Sequence, residues 1–158
     1  MFVRYGFIGL GNLGRHLAAS LVRAGFDLTV HDLNRAAADD LVRGGAKWAQ
    51  SPKDLAAAVD AVITCLPSPA ASATVLTADN GVLNGLRSGG TWIEMSTTDQ
   101  SEIERIRKDA RAALLDKGKT EAAALRASAT AAIQADAQAA DEAWAERSSH
   151  LGIDIAGR

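Results

Sequence analysis

Tyr5-Gly6-Phe7-Ile8-Gly9-Leu10-Gly11-Asn12-Leu13-Gly14 is a short apolar run that passes directly into a Gly-x-Gly-x-x-Gly turn. Beyond it come Arg15, His16 and a segment in which Leu13, Leu17, Leu21 and Val22 recur at helical spacing, with Gly25 as its stop. Each glycine has its own task. Gly9 turns the chain off the strand, Gly11 leaves room for a pyrophosphate, and Gly14 lets the helix sit close to the sheet. The first N–H groups of a helix have no partner within it and carry partial positive charge, so a diphosphate meets both needs.

The chain resumes with Asp27-Leu28-Thr29-Val30-His31-Asp32, a second apolar strand that ends in a carboxylate. Asp32 lies 18 residues beyond Gly14, close to the spacing of about 20 expected for the acid that accepts from ribose hydroxyls. Glycine triplets also occur in ordinary turns, and a βαβ unit with an incidental turn is the competing reading. The carboxylate at this distance favours a dinucleotide. His16 reads as an exposed helix residue, with contact to a phosphate as the alternative.

Further along, strands and helices alternate. Asn34 caps a helix through Leu41 and Val42, which stops at Gly44-Gly45, and Ala46 to Ala49 is a short strand. Ser51-Pro52 opens a helix, with Asp54 near its positive end. Asp60 to Leu66 is the fourth strand, broken by Pro67-Ser68-Pro69; a helix follows to Leu76, and Thr91 to Met95 is the fifth strand. Strand one starts near Phe2, and Ser96 to Asp99 offers caps to a helix from Gln100. The pattern predicts an α/β fold with a doubly wound parallel sheet of the Rossmann type. Ligands of such sheets lie outside the carboxyl ends of the strands. The glycine loop, Asp32, Leu66-Pro67-Ser68 and Ser96-Thr97 therefore share one crevice.

Composition narrows the class. With 17 basic and 19 acidic side chains the net charge is −2, which provides no general field for nucleic acid or an anionic membrane. No apolar run approaches the roughly 18 residues of a membrane span, and no signal-peptide pattern precedes the first strand. Cys65 is the single cysteine, so a cytoplasmic location is the expectation. Inside its strand Cys65 reads as a small apolar filler, with a reactive thiol as the alternative. No metal site is read from the sequence.

With these residues in hand, residues 3 to about 106 resemble the amino-terminal domain of the β-hydroxyacid dehydrogenases, the family of 3-hydroxyisobutyrate and 6-phosphogluconate dehydrogenases. The matching motifs are Gly6 to Gly14, Val30-His31-Asp32-Leu33-Asn34-Arg35, Leu66-Pro67 and Glu94-Met95-Ser96-Thr97-Thr98. Glu94 stands where the family has Asp, and Leu13 where Met is common. The resemblance implies that the glycine loop, Gly9, Leu10, Gly11, Asn12, Leu13 and Gly14, and Asp32 hold the adenosine half of NAD, with Leu33 and Arg35 also counted as cofactor-binding. It puts Leu66 and Pro67 on the nicotinamide side with Ser68 also counted as cofactor-binding, Thr97 near the cofactor's ribose and among the substrate residues, and Ser96 against a substrate carboxylate. Asp32 favours NAD because a carboxylate repels a 2′-phosphate. Arg35 keeps NADP open.

The resemblance stops short of the reaction. Hydride exchange at a hydroxyl-bearing carbon needs a proton donor and acceptor, which in the family is a lysine of a second, helical domain. Lys108, Lys117 and Lys119 lack the surrounding pattern, so the catalytic residue is unassigned and the chain alone is expected to bind cofactor without turnover. Residues 107–158 read instead as a helical extension. Ile103, Ile106, Ala110 and Leu114 share a face, Gly118 interrupts, and 13 of the 25 positions from Glu121 to Ala145 are alanine. Leu151 to Ile155 reads as a final strand, which makes the helix an insertion, or as the frayed strand that ends an unrelated tail. Three readings follow: the cofactor half of an oxidoreductase whose small hydroxy-acid site is completed elsewhere, a non-catalytic NAD(H) module whose helix meets a second copy or partner chain, or a fragment without its own role.

Overall fold

The computed structural model describes residues 3–97 and 100–156, the side chains of 148 and 150–156 excepted. Phe2, Thr98 and Asp99, read above as a strand start and helix caps, lie outside the described residues. Five strands form one sheet in the order β3-β2-β1-β4-β5. They are β1 (Tyr5–Ile8), β2 (Leu28–His31), β3 (Lys47–Trp48), β4 (Ala61–Thr64) and β5 (Thr91–Glu94). Every pairing is parallel. The sequence order reverses beside β1, which makes its carboxyl end the switch point of the sheet. Ile8 stands level with His31 and with Thr64, and Thr64 with Glu94. Four loops therefore leave the sheet side by side.

The helices are α1 (Gly14–Arg23), α2 (Asp39–Arg43), α3 (Pro52–Ala58), α4 (Pro69–Thr77) and α5 (Gln100–Ala156), with 3-10 turns at Arg35–Ala38 and Val82–Asn84. Local chemistry explains their starts. Ser51 and Ser68 each precede a proline, and their hydroxyls accept the N–H of Asp54 and of Ala71 at 3.1 and 3.2 Å. The Asn34 side chain accepts from Ala36 N–H, but it caps the 3-10 turn that leads into α2 rather than an α-helix.

Alternation along the strands splits the interior in two. Ile8 and Val62 join Leu55, Leu76, Val82 and Ile106, while Phe7 and Ile63 join Ala18, Leu28, Val30 and Leu41. Burial of each large aliphatic side chain contributes roughly 1.5–3 kcal/mol. Leu13 departs from the expected α1 stripe: it is exposed, and Ala18 occupies the buried position on that helix.

The contacts divide the chain into Met1–Leu114 and Leu115–Arg158. In the first unit, α5 buries Ile106 and packs Ala110 against the core. In the second unit it is a single helix whose described side chains are almost all exposed. Two expectations fail here. Gly118 does not interrupt α5, because one glycine costs only about 1 kcal/mol against a run of strong helix formers. Leu151 to Ile155 is helix rather than strand. A lone strand leaves its backbone groups unpaired, whereas a helix satisfies them within itself.

Asp60 ties the amino ends of the sheet together. It accepts the backbone N–H and Nε of Arg4 at 3.0 and 3.1 Å, and the guanidinium of Arg87 at 2.7 Å. The Arg4 hydrogen bonds hold its carboxyl well below the usual carboxylate range. A depressed folded pKa means the unfolded chain binds the proton first, so this stabilisation is present above the ordinary Asp range and is lost as pH falls through and below it. The urea midpoint, followed by Trp fluorescence, is expected to decline over that acid range, and Asp60→Asn to lower it at neutral pH and flatten the decline.

Candidate functional site

The loop after β1 is built by close backbone approach. Gly9 has a φ of +96°, and a Cβ there would lie 2.3 Å from the carbonyl oxygen of Cys65. A Cβ on Gly14 would stand 1.9 Å from the carbonyl oxygen of Gly9. Both positions exclude any side chain, and together they fold the turn over the end of the sheet. Gly11 is different: a Cβ there meets nothing within 4 Å, so the fold itself does not require glycine at that position. Among the described residues no acceptor meets the N–H groups of Gly11, Asn12 and Leu13.

A cavity of about 910 Å³ opens above this loop and is bordered mostly by apolar groups, near the upper end of small-molecule sites. It runs from Asp32 and Leu33 after β2, past Gly9 to Gly14 and Cys65 to Pro67, to Met95, Ser96 and Thr97 after β5. That span crosses three strand spacings, about 14 Å. The sequence-derived residues Gly9, Gly11, Asn12, Leu13, Gly14, Asp32, Leu33, Leu66, Pro67, Ser96 and Thr97 all border it.

Three others do not. Leu10 points its side chain into the core and serves through its backbone N–H, which donates to Asp32 Oδ2 at 2.7 Å. Ser68 caps α4. Arg35 pairs with Asp39 at 2.9 Å and lies over the Trp48 ring, 4.6 Å from its centroid. Asp32 is itself held from two sides, with Asn34 N–H donating to Oδ1 at 2.8 Å. Each carboxylate oxygen retains a second lone pair, and Asp32 borders the cavity.

At the β5 end, the Ser96 hydroxyl accepts Leu66 N–H at 2.7 Å and donates its proton to Glu94 Oε1, which also accepts Ser96 N–H at 2.8 Å. The loops after β4 and β5 are joined through this serine, so its proton is not offered to a substrate carboxylate in this arrangement. Among the described residues, no donor reaches the buried Oε2 of Glu94. Burial, and then the charge of Glu94, push the Cys65 thiol up, which fits an inert filler rather than a nucleophile.

Sequence reasoning missed one wall and one ring. Ala71, Thr74, Val75 and Ala78 border the cavity from α4, and their i, i+3, i+4, i+7 spacing on the helix after the fourth strand was the available signal. His31 also borders it; its Nδ1–H donates to the carbonyl of Ala49 at 2.9 Å.

Residues 4–118 match the family described as the NAD binding domain of 6-phosphogluconate dehydrogenase. The chain belongs to that family. It is 36% identical over 114 residues to a probable mitochondrial 3-hydroxyisobutyrate dehydrogenase of Dictyostelium discoideum, an alignment covering 70% of this chain and 36% of the relative. A NAD-dependent L-serine dehydrogenase of Pseudomonas aeruginosa is 34% identical over an alignment of 164 positions, covering 96% of this chain and 55% of that protein. Among solved structures, Psf3 in complex with NADP+ and 2-OPP superposes with a TM-score of 0.63 at 30% identity, over 72% of this chain and 39% of that one. The chain thus spans between a third and about half of the curated relatives named here. The fold is the Rossmann-like domain of NAD(P)-dependent oxidoreductases, and the resemblance to β-hydroxyacid dehydrogenases holds for its amino-terminal domain. Among the described residues no helix is long and apolar enough to cross a membrane, and no cluster of His, Cys, Asp and Glu forms a metal site.

Removing the Ser96 hydroxyl leaves Leu66 N–H without its acceptor. Ser96→Ala is expected to lower stability by roughly 1–3 kcal/mol, read as a shift in the urea midpoint.

Proposed function

We propose that this chain supplies the cofactor half of a hydride transfer between NAD and a small 3-hydroxy acid. The observation that carries the reading is Gly11, open in a loop whose other two glycines are fixed by the fold. Space kept clear without a structural reason suits a ligand's diphosphate against the backbone. The relatives' names point to acids with a hydroxyl on carbon three, 3-hydroxyisobutyrate and L-serine. When bound, the nicotinamide supplies or accepts the hydride. The protein's part is to hold it: the Gly11 to Leu13 N–H groups at the diphosphate, the free lone pairs of Asp32 at ribose hydroxyls, and Leu66 with Pro67 as an apolar wall on the nicotinamide side.

Asp32 and the engaged guanidinium of Arg35 favour NAD over NADP, since a 2′-phosphate would meet a carboxylate while the nearby cation is held by Asp39 and Trp48. Thr97 is the polar group we assign to the cofactor's ribose and the substrate edge; Ser96 would reach a carboxylate only by releasing Glu94. None of the residues bordering the cavity is a lysine, so proton transfer awaits a group from elsewhere. A reducing compartment such as the cytoplasm fits the free Cys65 thiol.

Calorimetric titration with NADH and NADPH tests this reading. NADH is expected to bind more tightly. Gly11→Val is expected to abolish binding with the unfolding midpoint unchanged, because the added side chain meets only ligand space. Asp32→Ala is expected to cost NADH roughly 10- to 100-fold, the worth of hydrogen bonds to a charged group, and to narrow the preference over NADPH. Mixed with NAD and 3-hydroxyisobutyrate, the chain alone should make no NADH. Failure of the wild type to bind either nucleotide would refute the proposal.

A further inference from the structure

The second unit presents a helix face that the cofactor reading does not use. Gly118, Ala129 and Ala140 recur at eleven-residue intervals, as do Ala122, Ile133 and Trp144, with Leu125 flanking the Gly118 row on its other side. Eleven residues are close to three helical turns, so these positions form one nearly straight stripe. Leu125, Ile133 and Trp144 are 72%, 69% and 73% exposed. Side chains this apolar and this open mark a contact surface when they line up.

Charge identifies what covers it. Residues 115–130 carry Lys117, Lys119 and Arg126 against Asp116 and Glu121, a net +1. Residues 131–147 carry Asp136, Asp141, Glu142 and Glu146 against Arg147 alone, a net −3. A second helix running parallel in register would set the acidic half against its own copy. Running antiparallel, it sets the acidic half of each against the basic half of the other.

We propose that residues 118–144 pair antiparallel with the same segment of a second copy of this chain, about a two-fold axis at Ala129. In that register Leu125 of one helix meets Ile133 of the other, Gly118 meets Ala140, and Lys119 lies beside Asp141. Trp144 reaches the turn containing Leu115 and Gly118, where the missing side chain leaves room for the indole. Small residues at the crossing let the backbones approach closely, so the large side chains on either side interlock. The pairing is isologous, as a two-fold dimer requires, and does not depend on cofactor binding.

Sedimentation of the full chain over a concentration series is expected to show a reversible shift from one chain mass to two. Ile133→Glu, at an exposed position outside the core, is expected to hold the mass at one chain across the same series. Orientation is read by disulfide cross-linking under mild oxidation, with the parent chain and its Cys65 as the blank. Ala129→Cys, on the axis, is expected to cross-link into dimers. Ala122→Cys is not, because its copies lie about 21 Å apart along antiparallel helices. A single-chain mass at every concentration overturns the proposal, as does a dimer that survives Ile133→Glu. Equal cross-linking of both cysteine variants overturns the antiparallel arrangement.

Discussion

The approach of the Gly14 α-carbon to the Gly9 carbonyl oxygen is the constraint on which the site depends. With no Cβ at either position the chain reverses within six residues, and α1 starts directly over the end of β1. Any side chain at Gly14 would have to displace backbone, which in this loop is itself packed against Cys65, one residue past the end of β4. The turn, the helix start and the mouth of the cavity are thus one object. Its location follows from topology, because β1 is the strand at which the sheet changes direction.

Much of this was legible from the chain because each signal was local. Ser51-Pro52 wrote the start of α3, and the glycine spacing wrote the turn, whereas Pro67-Ser68-Pro69 read as a strand break and Ser68 as a cofactor group although it caps α4. Asp32 was found by distance along the sequence and does lie at the cavity. Arg35 was placed by the family resemblance, but the ring of Trp48 comes from a different strand, and that stacking cannot be counted along the chain. Leu13 shows another limit: its helical spacing puts it on the core stripe while the resemblance puts it at the cofactor, and it lies exposed at the cavity just before α1. The course of Leu151 to Ile155 was misjudged because a short apolar run carries no sign of whether a strand partner exists.

Two kinds of stability coexist in the chain. The sheet unit rests on burial, with Leu55, Val62, Leu76 and Val82 wholly enclosed. The helix beyond Leu115 rests on alanine propensity, since its described side chains bury almost nothing. Helices in water become self-sustaining only beyond about 12–15 residues, a length that this segment exceeds. Its composition suits a surface whose apolar groups are few and evenly spaced, whereas the sheet unit needs many and crowded ones.

The two backbone amides that grip Asp32 have a thermodynamic meaning for ligand capture. A carboxylate that must be frozen on complex formation forfeits roughly 0.5–1.5 kcal/mol of rotamer freedom. In this protein Leu10 and Asn34 impose that ordering during folding, so on the proposed reading the acid would already be immobile when a ribose hydroxyl met it. Preorganisation of this kind would raise affinity without new contacts, and among the described residues Asp32 is the one carboxylate bordering a mainly apolar cavity.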